Sequence, residues 1–393
     1  MYRTIGAIMM AAIIPAAACA ENSPGGIAAR AQCVLSRPDA AGFSGVLAVT
    51  RGSEVSVRPQ GLTGLAGSAP VTANTRFNIG SAGKMFTAVA IGQLVDAGKV
   101  KLDDPVGVYV DGLTPETARV TVRQLLTHTS GLGNFFTPDA VPVLQRLTAM
   151  GDLKPLIVGD RPRFAPGSRF EYSNTGYALL GLVVERASGA GYGDYLAHHI
   201  FAPAGMTDTG LAFTAPDTAV GLSRGGPGPN LLPPRDGSRA GPPPGALQPA
   251  GSPPPGDGGP GRPAPEAALP ATPAGGLYST AGDMTRFFQA LAAGKLLRPE
   301  TVRTFTGAQV ESAPAKGDLP ALHYGFGFGT GQYEIHAWFG HNGGAPGLNA
   351  EAVMFPDDDL IVIVLANRDP PVASQVFRTV RDALFHGATG DGC

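Results

Sequence analysis

Strand-like sequence sits at the two ends of this chain and helix-like sequence lies between them, and that arrangement restricts the folds open to it. Near the start, Phe43–Thr50 and Glu54–Gln60 are rich in apolar and β-branched residues and are parted by Arg51-Gly52-Ser53, a hairpin signal. Near the end, His323–Phe328, Tyr333–Phe339, Asn349–Phe355 and Leu360–Ala366 read as strands, and Val372–Phe385 closes as a helix. Helical patterns fill the middle, over Ser81–Ala97 with Gly98 as its stop, Thr121–Thr127, Gly176–Ala187 and Ala281–Ala293. The simplest packing is an α/β (α+β) fold, in which one mostly antiparallel sheet is built from both chain ends and flanked by helices, with a helical subdomain inserted.

With 393 residues and 43% of them hydrophobic, the chain is long enough for a sizeable core. Its 29 basic residues balance 31 acidic ones, and no basic block breaks that balance, which argues against a nucleic-acid partner. Residues 1–20 read as a signal peptide: Arg3, an apolar run from Ile5 to Ile14, then Ala18-Cys19-Ala20 before Glu21. The run is too short to imply a transmembrane helix. The expectation is a secreted or periplasmic protein, with lipid attachment at Cys19 as the alternative. Cys33 and Cys393 then remain as a possible disulfide, which the shared sheet would bring to one side. Residues 21–393 read as one domain, interrupted at 225–273 by a Pro/Gly-rich stretch without aromatic residues, expected to be a flexible insert.

The chemistry concentrates in Asn78-Ile79-Gly80-Ser81-Ala82-Gly83-Lys84. A lysine in an apolar helix must find partners or lose its proton, because burying a lone ammonium is costly. Ser81 and Lys84, at i and i+3, share one helix face and can meet. A serine hydroxyl becomes nucleophilic when a neighbouring base takes its proton, and a helix start favours the developing negative charge. Two further elements stand beside this pair in the sequence. Phe170-Glu171-Tyr172-Ser173-Asn174 offers a phenol, which an adjacent cation would lower toward general-base use, and an amide two residues on. Gly340-His341-Asn342-Gly343-Gly344 closes a strand with glycines that permit close backbone approach.

These three elements, in this order, resemble the serine β-lactamase and penicillin-binding-protein-like hydrolase superfamily, in the branch of class C β-lactamases, DD-peptidases and related esterases. The likeness extends to Leu102–Pro105, Leu125–Leu132, Pro166–Asn174 and Pro273–Thr280 and spans about Phe43 to Phe385. It implies the β-lactamase/transpeptidase-like fold. It further implies Ser81 as nucleophile, Lys84 and Tyr172 as a coupled proton-transfer pair, and Asn174, His341 and Gly343 as substrate-binding residues. The amides of Ser81 and Gly344 would form the oxyanion hole. It implies no cofactor and no metal, and a small-molecule or peptide acyl substrate. His341 stands where β-lactamases of this branch carry lysine, so a carboxylate would be held less firmly. The expected activity is therefore cleavage of an ester or amide through an acyl-serine, esterase- or D-amino-acid-peptidase-like. A class C-like β-lactamase and a non-catalytic penicillin-binding sensor are the alternatives.

Three other motifs read as decoys. Gly221-Leu222-Ser223-Arg224-Gly225 matches a nucleophile elbow but is followed by the Pro/Gly-rich stretch rather than a helix. His128 reads as a structural turn residue near the cleft, and His198-His199 lacks metal-ligand spacing.

Overall fold

The computed structural model describes residues 26–37, 40, 42–212, 217–224, 261–264, 269–316 and 320–386. The signal-peptide reading, Cys19, Cys393 and most of the insert lie outside these residues.

Eight strands form one sheet: β1 (Gly45–Arg51), β2 (Glu54–Gln60), β3 (Val310–Ala313), β4 (Leu322–Tyr324), β5 (Gly329–Tyr333), β6 (His336–Ala345), β7 (Leu348–Phe355) and β8 (Leu360–Ala366). Their order is β2-β1-β8-β7-β6-β5-β4-β3, antiparallel throughout, so the first hairpin docks onto the last strand with Gly45 opposite Ala366. The sheet is thus built from both ends of the chain, as the sequence pattern requires. Two expected strands have different bounds: His323–Phe328 is observed as Leu322–Tyr324, and Tyr333–Phe339 is divided by a turn. Glu334 adopts a left-handed φ of 55°, which turns the chain at Tyr333–His336 and splits one expected strand into a hairpin. β6 then runs on to Ala345, so His341 and Gly343 lie well inside one strand.

Both faces of the sheet are covered, which explains why β8 reads as a continuous apolar run, Leu-Ile-Val-Ile-Val-Leu-Ala. Leu360, Val362 and Val364 pack under α1 (Ile27–Leu35) and α5 (Val372–His386). Ile361, Ile363 and Leu365 face the larger core formed with α2 (Lys84–Asp96), α3 (Asn174–Ser188) and α4 (Ala281–Ala292). The two-residue alternation of the strand divides the molecule into these layers. α1 and α5 touch, with Arg30 donating to the Leu384 carbonyl at 3.2 Å. Cys33 on α1 therefore lies beside the helix that leads toward Cys393.

α2 is buried on nearly every side, Lys84 included. A helix so enclosed has no solvent face, so its register is fixed by packing alone. The last part of the expected flexible insert is structured: Arg262–Pro263 pairs with Leu222–Ser223, and the Pro273 carbonyl accepts from Thr87 Oγ1 at 2.7 Å. This corrects the sequence reading for residues 261–264 and 269–273. In the serine motif at 221–225, Leu222–Ser223 is a strand in this short pair, while Gly225 lies outside the described residues.

Candidate active site

Ser81 sits on a single 3₁₀ turn, Gly80–Gly83, that leads into α2. Two backbone segments grip this turn. On one side, the Leu277 carbonyl accepts from Ile79 N–H at 2.9 Å and the Gly80 carbonyl accepts from Gly276 N–H at 3.1 Å. On the other, β6 lies so close that a side chain at Gly343 would stand 2.0 Å from the Ile79 carbonyl oxygen and 3.1 Å from the Ser81 amide nitrogen. Gly275, with φ of +142°, makes the same approach from the first side, 2.5 Å from the Gly80 oxygen. Glycine at these two positions lets three backbones converge on the serine.

Lys84 is one turn further on and fully buried. Its Nζ contacts Ser81 Oγ at 3.2 Å, Asn174 Oδ1 at 2.7 Å and the Ala274 carbonyl. Burial pushes its pKa well below the usual lysine value. A neutral amine has two hydrogens, and Asn174 Oδ1 and the Ala274 carbonyl can only accept, so they use both. The remaining lone pair then faces the Ser81 hydroxyl.

Tyr172 is half-buried as a residue, but its hydroxyl is fully enclosed and makes no hydrogen bond of acceptable geometry. Burial pushes its pKa up, and the nearby Ser81 hydroxyl eases that rise. This reverses the expected depression by an adjacent cation. The reason is placement: Lys84 Nζ lies over the Tyr172 ring, 4.7 Å from its centroid, and burial already favours the uncharged amine. Asn174 links Lys84 to a residue the sequence reading passed over, since its Nδ2 donates to Asn134 Oδ1 at 2.9 Å.

A cleft opens in front of Ser81 and encloses about 600 Å³, part of it open to solvent. Asn78, Ser81, Asn174 and Gly344 border it, and Phe136, Leu269, Pro270, Pro346 and Leu348 supply apolar walls. No charged side chain among the described residues lines it. His341 does not line it either. The ring is 1% exposed, and both nitrogens are engaged: Nε2 with the Tyr324 hydroxyl at 2.9 Å, Nδ1 with the Asn342 carbonyl at 2.6 Å. Burial, with Lys84 nearby, lowers its pKa to about 3. The expectation of a partly charged carboxylate ligand is corrected accordingly: His341 is a neutral residue behind the cleft. Gly343 also stays out of the lining, and its contribution is the close approach just described.

His128 is buried with φ of 58° and accepts from the Ser173 amide through Nδ1 at 3.0 Å. It thereby fixes the backbone next to Tyr172, while Ser173 Oγ caps α3 by accepting from Gly176 N–H. His198 and His199 are exposed on a separate helical turn.

An antiparallel sheet flanked by helices, with a serine and a buried lysine one turn apart at the start of the central helix, defines the serine β-lactamase/transpeptidase class of folds. Residues 31–386 match the Beta-lactamase family model, and the chain belongs to that family. It is 32% identical to Esterase EstB of Burkholderia gladioli over 304 residues, 72% of this chain and 74% of that protein. The penicillin-binding protein from Bacillus halodurans superposes with a TM-score of 0.73 at 28% identity, covering 90% of this chain and 99% of the other. The D-amino acid amidase from Ochrobactrum anthropi SV3, in its complex with L-phenylalanine amide, gives 0.70 at 25% identity, covering 92% and 99%. Among the described residues, no helix is long and apolar enough to cross a membrane.

Proposed function

We propose that the protein is an exported serine hydrolase that cleaves uncharged esters or amides through an acyl-serine intermediate. The observation that carries this is the Lys84 environment, in which a fully buried amine, its pKa pushed down by burial, holds Nζ 3.2 Å from Ser81 Oγ between two obligate acceptors. In the acylation step Ser81 Oγ bonds to the carbonyl carbon and its proton passes to Lys84. The oxyanion that forms is held by the amides of Ser81 and Gly344, carried on segments that abut through Gly80 and Gly343. Tyr172 keeps its proton at working pH and donates it as the alcohol or amine departs, Lys84 then restoring it. Water completes hydrolysis of the acyl-serine.

The preference for uncharged substrates is supported by the cleft itself. Penicillins and peptides with a free C-terminus carry a carboxylate. The described lining offers apolar walls and amides, and His341 is neutral and out of reach. Similarity to an esterase and to a D-amino acid amidase fits the same reading. Export, and a Cys33–Cys393 disulfide, accompany it as proposals. The first is supported by the pattern of residues 1–20, the second by the contact of α1 with α5.

The test is intact-protein mass after mixing with a short-chain p-nitrophenyl ester, a D-amino acid amide and a penicillin, beside Ser81→Ala. A transient acyl adduct with turnover of ester or amide, absent in Ser81→Ala, is expected. Rapid penicillin hydrolysis would replace the reading with a β-lactamase. A stable penicillin adduct without turnover of any substrate would replace it with a binding sensor.

A further inference from the structure

Behind the cleft lies a buried layer of rings of which acyl transfer as described uses only Tyr172. It contains His128, Tyr172, Tyr177, Tyr324 and His341, with Lys84 Nζ above the Tyr172 and Tyr177 rings. Two imidazoles beside a lysine that must gain and lose a proton present a problem. Either of them, once protonated, would add a second positive charge in a low-dielectric interior and oppose proton uptake by Lys84.

For His341 the hydrogen bonds fix the answer. The Asn342 carbonyl can only accept, so His341 Nδ1 carries the ring proton. Nε2 is then a bare lone pair, and the Tyr324 hydroxyl must be the donor of their 2.9 Å bond. Tyr177 donates its own hydroxyl proton to the Leu126 carbonyl at 2.9 Å and leaves its oxygen as a second acceptor for the Tyr324 proton, in competition with His341 Nε2. The groups facing His341 are Lys84 from α2, Tyr324 from β4, and His128 and Tyr172 from the loops before α3. Among the described residues no carboxylate pairs with it. Of these contacts the Asn342 carbonyl favours an imidazolium, and burial and Lys84 oppose it and outweigh it.

We infer that Tyr324 is a positioning residue, whose hydroxyl holds His341 in the neutral Nδ1–H form so that no imidazolium arises beside Lys84 during turnover. The inference rests on the reading of Lys84 as the group that takes the Ser81 proton. A donor to Nε2 stabilises the neutral ring, so removing it makes His341 easier to protonate, and the cation created would stand next to Lys84. The direction is the same as that of burial, which also keeps His341 neutral.

The experiment uses the full chain with ¹⁵N-labelled histidine, the His341 signals being assigned by their loss in His341→Gln. The wild-type protein is expected to show a protonated Nδ1 and a bare Nε2 from pH 5 to 8. An Nε2–H tautomer or an imidazolium at pH 7 would overturn the inference, and this reading needs no catalysis. Tyr324→Phe is expected to raise the pH at which His341 protonates by about one unit. Between about pH 3 and 4 the variant then carries an imidazolium that the wild type lacks, and kcat/KM there should be about tenfold lower, which moves the acid limb up. Tyr324→Phe/His341→Gln should return the limb to its wild-type pH. A limb that does not move, or one that stays shifted in the double variant, would reduce Tyr324 to a packing residue. If Ser81→Ala still forms adducts, the catalytic reading fails, while the tautomer measurement stands on its own.

Discussion

Replacing Gly343 with alanine tests the closest approach in the molecule. The added methyl would sit 2.0 Å from the Ile79 carbonyl oxygen, where ordinary contact begins at 3.4 Å. Both partners are backbone, one in the sheet between β5 and β7 and one in the turn that carries Ser81, so no side chain can rotate out of the way. β6 and the turn must separate by roughly 1 Å, and strain of this kind costs about 1–3 kcal/mol. The same separation moves the Gly344 amide away from the Ser81 amide, and a displacement of about 1 Å at a reacting centre costs roughly 100-fold in rate. Phe136, Leu269 and Pro270 lie on other segments of the cleft wall and stay in place, so the loss should fall mainly on kcat. Steady-state kinetics with a p-nitrophenyl ester, run well below the melting midpoint and with folding checked by circular dichroism, reads both numbers. Gly151→Ala is the control, since an added methyl there meets nothing within 4 Å. A folded Gly343→Ala enzyme within threefold of wild-type kcat would refute the claim that this contact sets the geometry of the oxyanion hole.

Other consequences concern buried titrating groups. Glu351, enclosed in β7 with Oε2 unpartnered, has its pKa raised by burial to about 7. Its folded value lies above its unfolded one, so its contribution to stability is full below about pH 4.5 and is lost as pH rises through 7. Glu351→Gln should therefore melt higher than wild type at pH 8, by a few degrees on the order of 2–5 °C, with the gap closing toward pH 5. A gap independent of pH would show that packing, not charge, limits that site. His128→Leu removes the acceptor for the Ser173 amide and places a bulky residue at positive φ, so a loss of about 2–4 kcal/mol in chemical denaturation is expected. His128→Asn, which tolerates that backbone, should lose less, and equal losses would deny the backbone a role.

Ser81 and Lys84 were legible as a pair because their relation is local: two residues three positions apart on one helix start meet whatever the rest of the fold does. The strands of β1, β2, β7 and β8 were legible because burial on one or both faces writes itself into period-two or continuous apolar runs. β3 was not read, since Val-Glu-Ser-Ala carries neither signal and sits at an edge where one side is solvent. The state of His341 was misread for a different reason. Its place on the strand follows from sequence. Its protonation depends on Tyr324, which reaches it from β4, two strands away across β5, and on how deeply both are buried. Tyr172 shows the same limit, because whether a cation lowers a phenol depends on which part of the ring it meets. Asn134 carried no pattern of its own and became visible only through its bond to Asn174.

The route of the chain through the sheet also sets the order in which the enzyme can come into being. Ser81 and Lys84 are made early, but the strand that walls their turn, β6, is made more than 250 residues later, and β1 waits for β8 before its second edge is paired. On the proposed function, a growing chain would carry Ser81 and Lys84 long before the Gly344 amide that completes the oxyanion hole, and activity would wait for the last sheet strands. Long-range closure of this kind is slow and leaves apolar edges open in the meantime.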